Sequence, residues 1–128
     1  MECTGASLFA SWGSTTYPAM LIQNETEKFI GDYAADTRRT VTKLAWFHIA
    51  FEGIHPFIDG NGRTGRLLVN LELMKAGLPP IDIKFTDRIA YYDAFDAFYA
   101  KHDLSAMEKL FARYINERLD AYLDILKD

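Results

Sequence analysis

Residues 54–66 read IHPFIDGNGRTGR, and the parsing of this stretch decides how the rest of the chain is read. Gly53 and Pro56 break whatever helix comes before it, and a new helix should begin near residues 61–63. That places Arg63 and Arg66 in the opening turns of the new helix. There the positive end of the helix dipole costs a cation a few tenths to ~1 kcal/mol. Two cations set against the local field, among an Asp, an Asn and three glycines, need a reason outside the helix itself.

Working upstream, TVTKLAWFHIAFEGI (residues 40–54) repeats Val41, Leu44, Ala45, His48 and Phe51 at helical spacing, with Asp36 or Thr37 as its cap. A shorter helix is expected from Glu25 to about Ala35, with Phe29, Ile30 and Tyr33 on one face. Downstream, the helix that opens at the loop should run to Ala76 and bury Leu67, Leu71 and Met74, with Leu68 beside them. Gly77 and the Pro79-Pro80 pair close it. After a short extended IDIKF, two further helices are expected. One spans Asp87 to about Lys101, with Ile89, Tyr92, Phe95 and Tyr99 recurring. The other is capped by Asp103 or Ser105 and runs through Leu126, with Leu110, Tyr114, Ile115, Leu119, Tyr122 and Leu126 on its apolar face. Residues 1–21 are rich in Ser, Thr, Gly and Ala and lack periodicity. The expectation is an all-α single domain over 1–128, with an irregular segment at 1–21 and a helical core at 22–126.

At 128 residues and 49% apolar, the chain can bury a real core. A net charge of −4 argues against a general nucleic-acid binder. Cys3 is alone, so no intrachain disulfide forms and a reducing compartment is expected. No run approaches the ~20 apolar residues of a membrane span. Glu2 stands where a signal peptide carries a basic residue. The expected location is cytoplasmic, with export as an effector by a signal-independent route left open.

The loop itself suggests a ligand. Glycines at a helix start let an anion approach free backbone N–H groups. Arg63 and Arg66, three residues apart, project to one side and would meet phosphate oxygens there. Asp59 adds the hard oxygen that Mg²⁺ prefers beside substrate phosphates. His55 can serve as a general base near neutral pH. Taken singly these are ordinary features: DGNG is a common tight turn, and an Asp there is often a cap. Together, within twelve residues, they describe a site for phosphoryl or nucleotidyl transfer.

HPFIDGNGRTGR matches the signature HPFx(D/E)GNGRxxR of the Fic family at every specified position, and this chain resembles that family from about residue 37 to 125, more weakly over 22–36. FHIAFEGI before the motif, and LLVNLELMKAGLPP and YYDAF after it, extend the likeness. It is most similar to Fic proteins whose inhibitory helix precedes the core. The resemblance implies a helical Fic core that transfers AMP from ATP to a Ser, Thr or Tyr hydroxyl of a target protein. His55 would be the base and Asp59 would hold Mg²⁺ (or Mn²⁺). Gly60, Asn61 and Gly62 would cradle the phosphates, with Asn61 reaching the α-phosphate. Arg63 and Arg66 would hold the β- and γ-phosphates. Phe57 would anchor the loop, and Tyr91 and Tyr92 would line the adenine pocket. His48, at a position often occupied by His in the family, reads as a packed helix residue.

Three departures from the family pattern stand out. Tyr99 occupies the place of an Asn, the β-hairpin flap expected near residues 14–21 is short and matches poorly, and the inhibitory motif (S/T)xxxE(G/N) is absent from the 128 residues. The resemblance therefore implies an inhibitory segment located upstream, an antitoxin-like partner supplying it in trans, or an unrestrained enzyme. A homodimer is also compatible with it. Alternatives are a Doc-like kinase, though that branch carries Lys in place of Gly62, removal of AMP from a modified protein, and a nucleotide-binding module without catalysis.

Overall fold

The computed structural model describes residues 19–57 and 59–127. Among them there are five α-helices and no strand: α1 (Ala19–Ala35), α2 (Thr40–Ile54), α3 (Asn61–Lys75), α4 (Arg88–Lys101) and α5 (Ser105–Leu126). A 3₁₀ turn, Phe85–Asp87, leads into α4.

α2 is the centre. It buries Leu44, Ala45, Phe47, His48, Ile49, Phe51, Glu52 and Ile54, which point in almost every direction around its axis. A helix apolar on all sides has to be surrounded, and α1, α3 and α5 all pack against it. α1 contributes Phe29, whose ring lies 4.9 Å from Phe47, 5.5 Å from Trp46 and 6.2 Å from Phe51. α5 contributes Met107, Leu110, Phe111, Tyr114 and Ile115, and α4 closes the core with Tyr91, Ala94 and Phe95.

The connector between α3 and α4 is held by one side chain. Asn70 donates Nδ2 to the Ile81 carbonyl at 2.9 Å and accepts the Ile81 N–H at 2.8 Å, as a neighbouring strand would. Of the expected extended IDIKF, Lys84 is extended at φ −73° and ψ 143°, whereas Phe85 already belongs to the 3₁₀ turn. Tyr114 then fixes the turn before α4, accepting the Lys84 N–H at 3.2 Å and donating to Asp87 at 2.5 Å.

Several local expectations fail, each for an identifiable reason. α1 starts at Ala19, so residues 19–21 of the segment read as irregular or flap are helical; the rest of that segment, 1–18, lies outside the described residues. Asp36 does not cap α2. Its carboxylate is bound by Arg38 at 2.7 Å instead. Asp103 does tie down the start of α5, accepting the Ser105 N–H at 3.0 Å.

The largest error concerns α3. Leu67 is 68% exposed, Leu71 49% and Met74 52%, while the buried face is Asn61, Gly65, Val69 and Leu73. α3 leans on α2 through a stripe that begins with an Asn and a Gly, which hydrophobic periodicity cannot detect. Similarly, Ile89 on α4 is exposed, and the apolar face of α5 leaves the core beyond Ile115, exposing Leu119, Tyr122 and Leu126. The inverted face of α3 has a direct consequence. Leu73→Ala should cost ~2–5 kcal/mol by loss of buried methyls, whereas Leu67→Ala should stay within ~0.5 kcal/mol, both read from denaturant unfolding.

Candidate active site

The site begins where α2 stops. His55 follows Ile54 with φ 54° and ψ 58°, in the left-handed region, and its N–H closes the helix on the Phe51 carbonyl at 3.1 Å. Helices often end on a residue in this conformation, but Gly or Asn usually supplies it. A histidine there costs on the order of 1 kcal/mol, and His102 closes α4 in the same conformation.

From His55 the chain turns through Pro56 and Phe57 into α3. The resemblance assigned loop anchoring to the Phe57 ring, and here the structure differs: Phe57 is half exposed, 52%. Asn61 is the anchor. Nearly buried, it accepts the Phe57 N–H at 2.9 Å and donates to the Phe57 carbonyl at 2.8 Å. The Asn61 amide is thus bonded to the loop it follows.

Gly60 carries φ 79°, a conformation natural to glycine, and its N–H is taken by Asp59 Oδ1 at 2.8 Å. No side chain caps α3, so the first-turn N–H groups of residues 61–63 point out of an open mouth. Arg63 and Arg66 stand beside it. A Cβ on Gly60 would lie 3.1 Å from Arg63 Nη2, and one on Gly62 3.1 Å from Arg66 Nη1. The two glycines therefore leave room for the guanidinium groups as well as for the backbone turn. Neither arginine forms an ion pair with any carboxylate among the described residues. Two cations without ion-pair partners among the described residues, beside an uncapped, electropositive helix end, have the chemistry suited to an anion of several charges.

Asp59 is exposed on this loop, and no group of three or more His, Cys, Asp or Glu suited to holding a metal exists among the described residues. The donors fit Mg²⁺ arriving with a nucleotide, which needs one protein carboxylate with phosphate oxygens and water completing the shell.

Beneath Arg66 lies a buried polar seat. Tyr91, from α4, is 6% exposed, and its hydroxyl sits 2.5 Å from His48 Nε2. The Arg66 charge pulls the Tyr91 phenol down against the larger upward push of burial. Which of the two donates in the His48–Tyr91 bond is set by the His48 tautomer. Burial and the nearby Arg66 charge depress His48 to about 3, keeping it neutral. A void of about 10 Å³ between His48, Arg66, Asn70 and Phe111 is no larger than one water. Tyr92 is partly exposed, with its ring 5.6 Å from Tyr91. Of the two tyrosines, Tyr91 lies under the arginine and Tyr92 presents accessible ring. Tyr99 donates its hydroxyl to the Ile49 carbonyl at 3.1 Å and lies against Gly53, where a Cβ would fall 2.7 Å from that oxygen.

Sequence reasoning missed Glu52. It is 5% exposed and Oε2 has no hydrogen-bond partner. Burial pushes its carboxyl up to about 7, with Arg66 pulling it back down. A signal existed in the sequence: Glu52 follows His48 by one helical turn on a stripe that is otherwise apolar.

A helical domain organised around one loop of this kind, with a histidine, an aspartate, closely spaced glycines and two arginines in order, has the layout of the Fic signature. Comparison with known proteins agrees. Residues 9–73 match the model of the Fic/DOC family, and the chain belongs to that family. It is 47% identical over 77 residues to the protein adenylyltransferase Fic of Nematostella vectensis, covering 59% of this chain and 18% of that protein. It is 36% identical over 103 residues to the protein adenylyltransferase Fic of Drosophila melanogaster, covering 80% of this chain and 21% of that one. The chain thus spans about a fifth of the length of these curated relatives. Among the described residues, no helix is long and apolar enough to cross a membrane.

The state of Glu52 makes stability depend on pH. Unfolded, it titrates near 4.5; folded, near 7. Between these values the folded chain holds a proton that the unfolded chain releases, so stability falls as pH rises through the window. Glu52→Gln should therefore stabilise the protein by on the order of 1–3 kcal/mol above pH 7. The gain should fade as pH falls towards 4.5. Melting curves of the two proteins from pH 4 to 8 test this, since the contribution of His48 is common to both.

Proposed function

We propose that this domain transfers AMP from ATP to a hydroxyl side chain of a target protein. The observation that carries the reading is the uncapped mouth of α3 flanked by two arginines that form no ion pair with a carboxylate among the described residues. A triphosphate tail supplies the missing negative charge, and the dipole of α3 then favours the ligand that the arginines need.

In this reading the first-turn N–H groups and Arg63 and Arg66 hold the β- and γ-phosphates, and Asp59 holds Mg²⁺. The ion supplies charge neutralisation on the phosphate oxygens. His55 removes the proton of the incoming hydroxyl as its oxygen attacks the α-phosphorus. The bond to the β-phosphate oxygen breaks and pyrophosphate leaves, so the proton ends on His55 and AMP on the protein. Tyr92 offers its ring to the adenine.

Gly62 supports AMP transfer over phosphate transfer. Any side chain there would crowd Arg66 Nη1, at 3.1 Å from a Cβ, and a lysine would add a competing cation. Arg66 is also where a carboxylate brought by a partner would restrain the reaction, by competing with phosphate for the same guanidinium.

ATP labelled at the α- or the γ-phosphate decides the transferred group. Protein should become labelled only from the α-label; labelling from the γ-label would replace this reading with a kinase. His55→Ala should lower transfer by ~10²–10⁴ while Mg-ATP affinity, read by calorimetry, stays within a few-fold. Asp59→Ala should lose transfer mainly through the metal. Raising Mg²⁺ or Mn²⁺ should restore part of the rate, whereas a cap residue would show a lower melting temperature and no metal rescue.

A further inference from the structure

α5 outruns the body of the domain. Its buried residues end at Ile115, and every side chain from Asn116 to Leu126 is exposed. About three turns of helix, ~16 Å at 1.5 Å per residue, therefore project beyond the core. So short a length of helix is marginal in water unless one face of it is packed. Leu119, Tyr122, Leu123 and Leu126 lie along one stripe of the projection, with Ile125 at its margin, and all five are exposed. Large apolar side chains gathered on one face and rimmed by charge mark an interaction surface. Nothing is gained within the single chain by leaving them in water.

We propose that this stripe is the docking surface for a second copy of the chain, the two projecting ends of α5 pairing antiparallel. The spacing of the stripe reads the same in both directions. Reversal about its midpoint sets Leu119 against the partner's Leu126, and Tyr122 against the partner's Leu123. Helical periodicity places Asp120 and Lys127 together on one flank of the stripe and Arg118 on the other. A two-fold axis across an antiparallel pair keeps like flanks on the same side. Each Asp120 then meets the partner's Lys127, less than one turn away along the axis, and no like charges are opposed. Asp120 forms no ion pair among the described residues, and Lys127 pairs with Asp124 of its own helix at 3.4 Å, both exposed. Parallel pairing would instead bring the two cores side by side, where α2 and α4 already pack on α5. Antiparallel pairing leaves the cores at opposite ends of the shared helix pair.

Sedimentation velocity on the 128-residue chain and its variants decides this. A pair of three-turn helices lies at the small end of specific interfaces, so a dimer with a dissociation constant in the micromolar range is expected. Leu123→Glu should weaken it at least ~tenfold, because it buries a charge at the centre of the stripe. Leu71→Glu, on the separate exposed stripe of α3, should leave it unchanged. Asp120→Lys or Lys127→Asp alone should weaken dimerisation roughly tenfold, since each turns two attractions into repulsions. The two together should return it to within ~threefold of the wild type. All four side chains are exposed in the single chain, and circular dichroism should show the same fold throughout. A chain that stays monomeric at high micromolar concentration overturns the proposal. A dimer indifferent to Leu123→Glu, or lost with Leu71→Glu, uses another face and overturns it as well. If the double charge reversal fails to restore what the single reversals lose, the antiparallel pairing is wrong and the proposal falls with it.

Discussion

Two hydrogen bonds from Asn61 hold the functional end of this protein together. Its side chain grips both polar groups of the Phe57 backbone, at 2.9 and 2.8 Å, and so joins the first residue of α3 to the loop that α2 releases. A loop of this length without that clamp would leave the two helix ends free to separate. With it, the Phe57 backbone, two residues after the left-handed turn at His55, is tied to the start of α3 beside the positive φ of Gly60. Both bonds are largely shielded from water, which raises their worth and the cost of leaving either group unpaired.

The unit is aimed by the contact of α2 with α3. Gly65 has no side chain, so Phe51 and Glu52 can approach the α3 backbone closely. This close approach sets the last turn of α2 against the first turns of α3. It also explains why α3 buries Gly65, Val69 and Leu73 while Leu67 and Leu71 face outward. The helix is oriented by what must come close at its first turn. Its leucines adapt to that orientation.

Charge is distributed with the same asymmetry. Outside, Lys28–Asp32, Lys75–Glu72 and Arg113–Asp87 are surface pairs of small energetic weight. Inside, burial keeps His48 neutral and pushes Glu52 up to about 7, in each case against or beside the field of Arg66. His48 and Glu52 thus lie on α2 within the field of the first turns of α3.

Much of this was legible in the chain. The α2 span from Thr40 to Ile54 and the start of α3 at Asn61 follow from helical spacing and from breakers that act locally, through φ restriction and missing donors. The loop residues are contiguous, so their joint chemistry could be read without knowing the fold. What tertiary structure decided was every feature depending on which surfaces meet. The face of α3 was misread because its contact with α2 is made by an Asn and a Gly, which carry no hydrophobic signal. The anchoring role moved from Phe57 to Asn61 because hydrogen-bond partners four residues apart are set by the turn, not by residue type. Tyr91 proved to lie beneath Arg66, and Glu52 emerged beside it, because residues 52, 66 and 91 are far apart along the chain and become neighbours only when three helices pack. Local sequence determines where a helix starts and which groups a loop carries; the desolvation and electric field those groups experience exist only once the core has closed around them.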